Sequence, residues 1–238
     1  MDNALLAGVS RQMVLQRELD IVANNVANLN TTGFKADAAI FSQYLAGSRD
    51  ARLVQDRGTW RDMSAGPLKP TGNPLDVAID GDGFLAVQTP RGERYTRNGA
   101  LQINTEGELV TLEGYRVLGD GGAIRFQNED RNITIARDGT VSVADGTRGQ
   151  LRMVRFANNQ SLQKDGATLF AAPAGAVAQT VGTASFVQGS VEQSNVRGIT
   201  EMARLTEISR GYSQIASLLQ QQDELRRSAI ERLADVPA

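Results

Sequence analysis

Near the start of the chain the apolar residues fall at helical spacing, with Leu5, Val9, Leu15, Leu19, Val22, Val26 and Leu29 separated by steps of three, four and six. The pattern predicts an amphipathic helix over residues 2–29. Asp2 or Asn3 is placed to cap it by accepting a backbone N–H. Asn28, Asn30, Thr31, Thr32 and Gly33 favour turns and end it. The far end of the chain repeats the design. Met202, Leu205, Ile208, Tyr212, Ile215 and Leu219 form a stripe that Leu225, Ala229 and Leu233 continue, and Glu201, Arg204, Glu207, Arg210, Glu224, Arg227 and Glu231 occupy the other face. Asp223 and Arg227 stand at i,i+4, where opposite charges support a helix. Gly211 interrupts at a cost of about 1 kcal/mol and is expected to allow a close backbone approach beside Tyr212.

Residues 66–189 follow a different period. Short β-like runs such as Phe84–Gln88, Arg116–Leu118, Asn132–Ile135, Thr140–Val143 and Gln150–Phe156 alternate with glycine turns. The pairs Asn98-Gly99, Asp120-Gly121, Asp138-Gly139, Asp145-Gly146 and Asp165-Gly166 are expected to supply the positive φ values of tight hairpins. This predicts an antiparallel all-β body. Residues 34–75 read as a connector: a short amphipathic piece at Ile40–Leu45, a polar stretch, then a proline- and glycine-rich run over 66–74 that suits neither a helix nor a central strand. Trp60 and Met63 are expected to anchor this connector onto the β body. The chain therefore divides into an N-terminal helix (1–33), an extended connector (34–75), a central β domain (76–190) and a C-terminal helix (191–238), an α+β architecture. A helix with one narrow apolar stripe does not hold in water without a packing partner. The two terminal stripes could pair with each other or with those of neighbouring subunits.

Composition narrows the chemistry. The chain has no cysteine and no histidine, which excludes disulfides, thiolate metal sites and histidine-based acid–base catalysis. Twenty-five basic residues against 27 acidic ones give no cationic surplus for a nucleic acid or an anionic membrane. A carboxylate-only glycosidase would need two carboxyls roughly 5–9.5 Å apart, one with a raised pKa. Glu93, Glu106, Glu108, Glu113 and Glu129 are the candidates, and the first four lie close to glycines, where solvated turns are expected. Asp80-Gly81-Asp82-Gly83 superficially resembles a calcium loop but lacks the EF-hand spacing and its terminal glutamate, so it reads as a turn. No catalytic residue, cofactor or metal is expected. No apolar run approaches the roughly 20 residues of a membrane span, and the opening lacks the basic region of a secretory signal.

The run Leu19–Lys35, containing Asn24-Asn25-Val26-Ala27-Asn28, resembles the N-terminal signature of the flagellar rod and hook axial proteins. Thr71–Phe84 is similar to that family's second hallmark, followed by Tyr95–Gly99, Gly107–Thr111 and Gly114–Gly119. Gln193–Val196 and Glu207–Tyr212 resemble its C-terminal module, although alanine is more usual at the position of Gly211. The blocks occur in the family's order and span nearly the whole chain. The opening, Met1–Leu5 through Ser10–Met13, is most similar to members of the proximal-rod kind, with the distal-rod kind the close alternative.

The resemblance implies a structural subunit of the drive shaft that carries motor torque to hook and filament. The rival of a different class is a secreted β-rich adhesin. It further implies that the two terminal helices pair as a coiled-coil-like stem lining a hollow rod, with the β domain outside. Expected partners are other rod subunits, copies of the same chain and, during secretion, the flagellar type III export apparatus, with no nucleic acid and no membrane insertion. The implied location is the basal body across the periplasm, reached without a cleaved signal peptide. The residues expected at subunit interfaces are Leu5, Val9, Leu15, Leu19, Val22, Asn25, Val26 and Asn28 on the first helix and Met202, Leu205, Ile208, Tyr212, Ile215 and Leu219 on the second. The cluster Asn24, Asn25, Asn28 and Asn30 either bonds to nearby backbone or bridges subunits.

Overall fold

The computed structural model describes the backbone of residues 2–46, 51–180 and 184–234, and the side chains of residues 6–42, 57–179 and 184–231. The chain forms two compact units that interleave in sequence. One comprises Met1–Ala27, Asp37–Arg61 and Arg197–Ala238; the other comprises Asn28–Ala36 and Asp62–Val196.

The first unit holds helices α1 (Asp2–Ala27) and α2 (Gly198–Ala234) and a hairpin of strands β1 (Asp37–Ala46) and β2 (Ala51–Arg61). The stripes predicted at the two ends of the chain meet each other. Leu15, Val22 and Ile208 are buried together, with Leu19, Val26, Leu205, Tyr212 and Ile215 packed around them. The pairing is antiparallel, since Gln12 Nε2 donates to the Tyr212 hydroxyl at 3.0 Å while Arg204 bonds Glu18 at 2.6 Å. Each fully buried aliphatic contributes roughly 1.5–3 kcal/mol before entropy is subtracted. This contact is what lets a weakly amphipathic helix persist.

Gly211 does not serve the close approach expected of it. A methyl group placed there would sit 3.6 Å from Leu15 Cδ1, an ordinary contact, whereas the tight crossing lies at Gly8, where the same atom would come within 2.8 Å of Leu219 Cδ2. Beyond Leu219 the described members of the stripe, Leu225 and Ala229, are exposed, and the side chain of Leu233 lies outside the described residues.

The segment read as a connector contains a hairpin. Asp37 pairs with Arg61, Ala38 with Trp60 and Ile40 with Gly58, with a register shift between Ile40 and Phe41. Direct strand partners share a face. Asp37, Ala39, Thr59 and Arg61 are on the face that meets α1, through Arg17 donating to the Thr59 hydroxyl and Asn25 bonding Asp37. Ile40 and Trp60 are on the other face and stay exposed, so Trp60 is not a buried anchor. Met63, in the second unit, does pack against a core cluster there.

That second unit is the antiparallel β body. Strand β3 (Leu68–Pro70) pairs with Ser190–Glu192, and β4 (Val77–Asp80) with Ser185–Gln188. The main sheet has ten strands among the described residues, built around β5 (Phe84–Thr89), which pairs with β6 (Gly92–Thr96), Arg116–Gly119 and Met153–Arg155. Alternation along β5 divides the interior in two. Leu85 and Val87 join Val77, Ile79, Leu101, Leu109 and Val117. Phe84 and Ala86 enter an aromatic cluster with Tyr95, Phe156 and Phe170, where Tyr95 meets Phe156 edge-on at 4.8 Å.

Most of the glycine pairs turn hairpins, with Gly139, Gly146 and Gly166 at positive φ. Asn98-Gly99 is different. Gly99 lies against β4, where a Cβ would come within 1.7 Å of the Val77 carbonyl oxygen, so this glycine answers a close approach of two backbones. The run Asn132–Ile135 is strand only over Thr134–Ile135, because Asn132 takes a positive φ of 55°.

Candidate functional site

The expected interface residues divide into three groups. Leu15, Leu19, Val22, Val26, Leu205, Ile208, Tyr212 and Ile215 belong to the helix–helix core within one chain. Leu219 closes over Gly8 in the same pair. Val9 and Met202 remain exposed and, with Leu6, Met13 and Leu218, give the helices an apolar outer surface. The side chain of Leu5 lies outside the described residues.

Asn25 is 2% exposed and fully engaged inside the chain: its Oδ1 accepts from Asp37 N at 3.0 Å, and its Nδ2 donates to Asp37 O at 2.8 Å and Glu201 Oε2 at 3.2 Å. This carboxamide brackets α1, β1 and α2 within one chain. Asn28 forms a local turn, accepting the Thr31 hydroxyl at 3.1 Å. A groove of about 670 Å³ between the helices is bordered by Arg11, Glu18, Arg204, Glu207, Arg210 and Gln214. Its rim is charged.

Within the β body lies a buried charge cluster that spacing along the chain does not reveal. Lys35, Glu192 and Arg97 are 1%, 1% and 5% exposed. Lys35 Nζ donates to Glu192 Oε1 and to the Ser64 carbonyl, both at 2.6 Å. The same carboxylate oxygen accepts from Gly66 N, and Glu192 Oε2 accepts from Arg97 Nε, both at 2.8 Å. Arg97 Nη1 also donates to the carbonyls of Gly81 and Gly83 at 2.8 and 2.7 Å. One carboxylate thus answers two buried cations. Burial pushes the Lys35 amine below the usual lysine range, and Glu192 opposes that shift. The Asp80–Gly83 loop turns two carbonyls toward the Arg97 guanidinium, which takes the acceptors that a metal ion would need. Among the described residues no group of acidic side chains could hold a metal ion.

Of the carboxylates weighed for catalysis, Glu106, Glu113 and Glu129 are exposed, while Glu108 and Glu93 are held in ion pairs. Glu108 is not in a solvated turn. It is fully buried and paired with Arg125 at 2.7 Å and Arg116 at 2.5 Å. The hydrogen bond from Arg125 holds its carboxyl below the usual range, opposite to what a general acid needs. Glu93 bonds Arg152 and faces Tyr95, whose hydroxyl is pushed up to about 12, chiefly by burial.

Three family models match the chain in order. The flagella basal body rod protein model covers residues 5–35, the flagellar hook protein FlgE/F/G D1 domain covers 78–143, and the flagellar basal body rod FlgEFG protein C-terminal model covers 187–232. The flagellar basal-body rod protein FlgF of Caulobacter vibrioides is 42% identical over 99% of this chain and 100% of its own length. The chain belongs to the flagellar basal-body rod protein family. FlgF of Mesorhizobium japonicum is 32% identical over 98% of both chains, and FlgG of Bacillus subtilis is 32% identical over 95% of this chain and 97% of its own. As a member of this family the chain is a structural protein and not an enzyme. The three family segments each supply one member of the buried cluster: Lys35 from the first, Arg97 from the second and Glu192 from the third.

Proposed function

We propose that this protein is a subunit of the proximal rod, part of the shaft that carries torque from the flagellar motor to hook and filament. The full-length match to an FlgF-type relative is the observation that carries this reading, since the matched region spans helices and β body alike. In this reading the paired helices act as a coiled-coil-like stem and pack against those of neighbouring subunits. Contacts within the chain use Leu15, Val22 and Ile208, leaving Leu6, Val9, Met13, Met202 and Leu218 to meet other copies and related rod subunits. Heterologous contacts that do not close into a ring build an open helical array. The chain reaches the periplasm through the flagellar type III export apparatus without a cleaved signal peptide.

The absence of native cysteine allows a direct test. Single cysteines at Met13 and Leu218, with one at Thr147 in the β body for comparison, are crosslinked in purified basal bodies and the partners identified by mass spectrometry. Crosslinks from the helix positions to proximal-rod neighbours are expected. Neighbours confined to the distal rod would move the subunit there. Absence of the chain from basal bodies would overturn the reading.

A further inference from the structure

Three of the places where the chain passes between its two units converge on one side chain. The chain leaves the β body after Ala36, re-enters at Asp62 and leaves again after Val196. Asn195, one residue before the last of these, takes hold of both others. Its Oδ1 accepts from Ala36 N at 2.8 Å, and its Nδ2 donates to the carbonyls of Asp62 and Ser64 at 2.9 and 3.1 Å. The backbone adds a bond from Asp62 N to Ala36 O at 2.9 Å. One layer deeper, Glu192 fastens the same three segments: its backbone carbonyl accepts from Gly33 N, and its carboxylate holds Lys35 and Gly66 N.

We propose that Asn195, backed by Glu192, is a mechanical clamp that ties these three crossings into one node, so that load entering the β body along any one segment is carried by all three. A carboxamide suits the task because it presents an acceptor and a donor on one planar group. It can therefore grip one strand by its N–H and another by its C=O, and the backbone bond between Ala36 and Asp62 closes the ring. Removing the side chain takes the bonds to the Ala36 amide and the Asp62 carbonyl together, while the Ser64 carbonyl keeps Lys35. The rod reading supplies a reason for load on this node, but the clamp itself is a property of the isolated chain.

The test is single-molecule force spectroscopy with handles on engineered cysteines. One pair, at Arg197 and Thr147, pulls directly on the crossing beside Asn195. The other, at Glu113 and Thr147, loads the β body away from it. Asn195→Ala is expected to shorten the lifetime under constant force about tenfold in the first geometry, the effect of losing roughly one to two net hydrogen bonds. The second geometry should be unchanged. Asn195→Asp keeps the acceptor for Ala36 N–H but sets a carboxylate oxygen against the Asp62 and Ser64 carbonyls, so it should shorten the lifetime in the first geometry at least as much as alanine does. It also serves as the test variant if the alanine substitution prevents folding. Lifetimes unchanged in both geometries, or shortened equally in both, would overturn the proposal. A chain that passes this test yet is missing from basal bodies would refute the rod reading alone.

Discussion

Replacing Glu192 with glutamine removes one negative charge and almost no volume from the centre of the β body. Lys35 and Arg97, 1% and 5% exposed, are then left as buried cations facing a neutral amide. Breaking a buried ion pair from one side costs about 3–5 kcal/mol. For Lys35 there is an upper bound, because the amine can shed its proton. At pH 7, deprotonating a lysine of ordinary pKa 10.4 costs about 4.6 kcal/mol, and burial already lowers the native value. Arg97 has no such escape and must rely on the carbonyls of Gly81 and Gly83. The expected loss is therefore about 3–5 kcal/mol at pH 7.

The mechanism has a pH signature. With Lys35 neutral in the folded variant and charged in the unfolded chain, the unfolded state binds one more proton. Stability of the variant should then rise by about 1.4 kcal/mol per pH unit between pH 7 and 9. Urea titration followed by circular dichroism of the strands measures both effects without adding salt that would screen the charges. A loss below about 1 kcal/mol, or a loss independent of pH, would refute the idea that one carboxylate sustains both cations.

Further outcomes follow from the same geometry. Gly211→Ala should stabilise the helix pair by about 1 kcal/mol, because the added methyl reaches Leu15 at contact distance; thermal melting of the helical signal checks this, and a destabilised variant would contradict the contact. Asn25→Ala leaves the Asp37 backbone without its bracket and should cost about 1–3 kcal/mol, read as faster hydrogen exchange at Asp37 N–H. Glu108, Asp130 and Asp165 all have carboxyls held below their ordinary values, chiefly by hydrogen bonds from Arg125, Arg148 and Arg94. Their contribution is fully present above the unfolded pKa of about 4 and is lost as pH falls through the lower folded values, so the urea midpoint of the β body should drop below about pH 4. A midpoint constant from pH 6 to pH 3 would contradict these pairings.

The helical stripes were legible because a 3.6-residue period is a local property: Leu15, Val22, Leu205 and Ile208 were placed on the right faces, and the structure joins them. Local pattern does not reveal whether those faces meet within a chain or between chains. The hairpin is hard to read in the sequence because exposed apolar residues, Ile40 on β1 and Trp60 on β2, blur the alternation of each strand. Glu108 misled for a related reason. Glycine at 107 does mark a turn, but the neighbouring carboxylate is buried against Arg116 and Arg125, which the fold brings to it. The Lys35–Glu192 pair spans 157 positions and leaves no trace in spacing. Lys35, Arg97 and Asn195 lay inside recognisable motifs, while Glu192 carried no signal of its own.

The interleaving of the two units also governs when each can be finished. The β body needs Asn28–Ala36 from near the beginning of the chain and Ser190–Glu192 from near its end; the helical unit needs α1 and α2 from opposite ends. Contacts of such long sequence separation form late, since much of the chain must be ordered before they yield any stabilisation. As the chain is synthesised, neither unit has its full complement of segments until most of the polypeptide has been made. The topology acts as a timer, delaying completion of both units until most of the polypeptide is available.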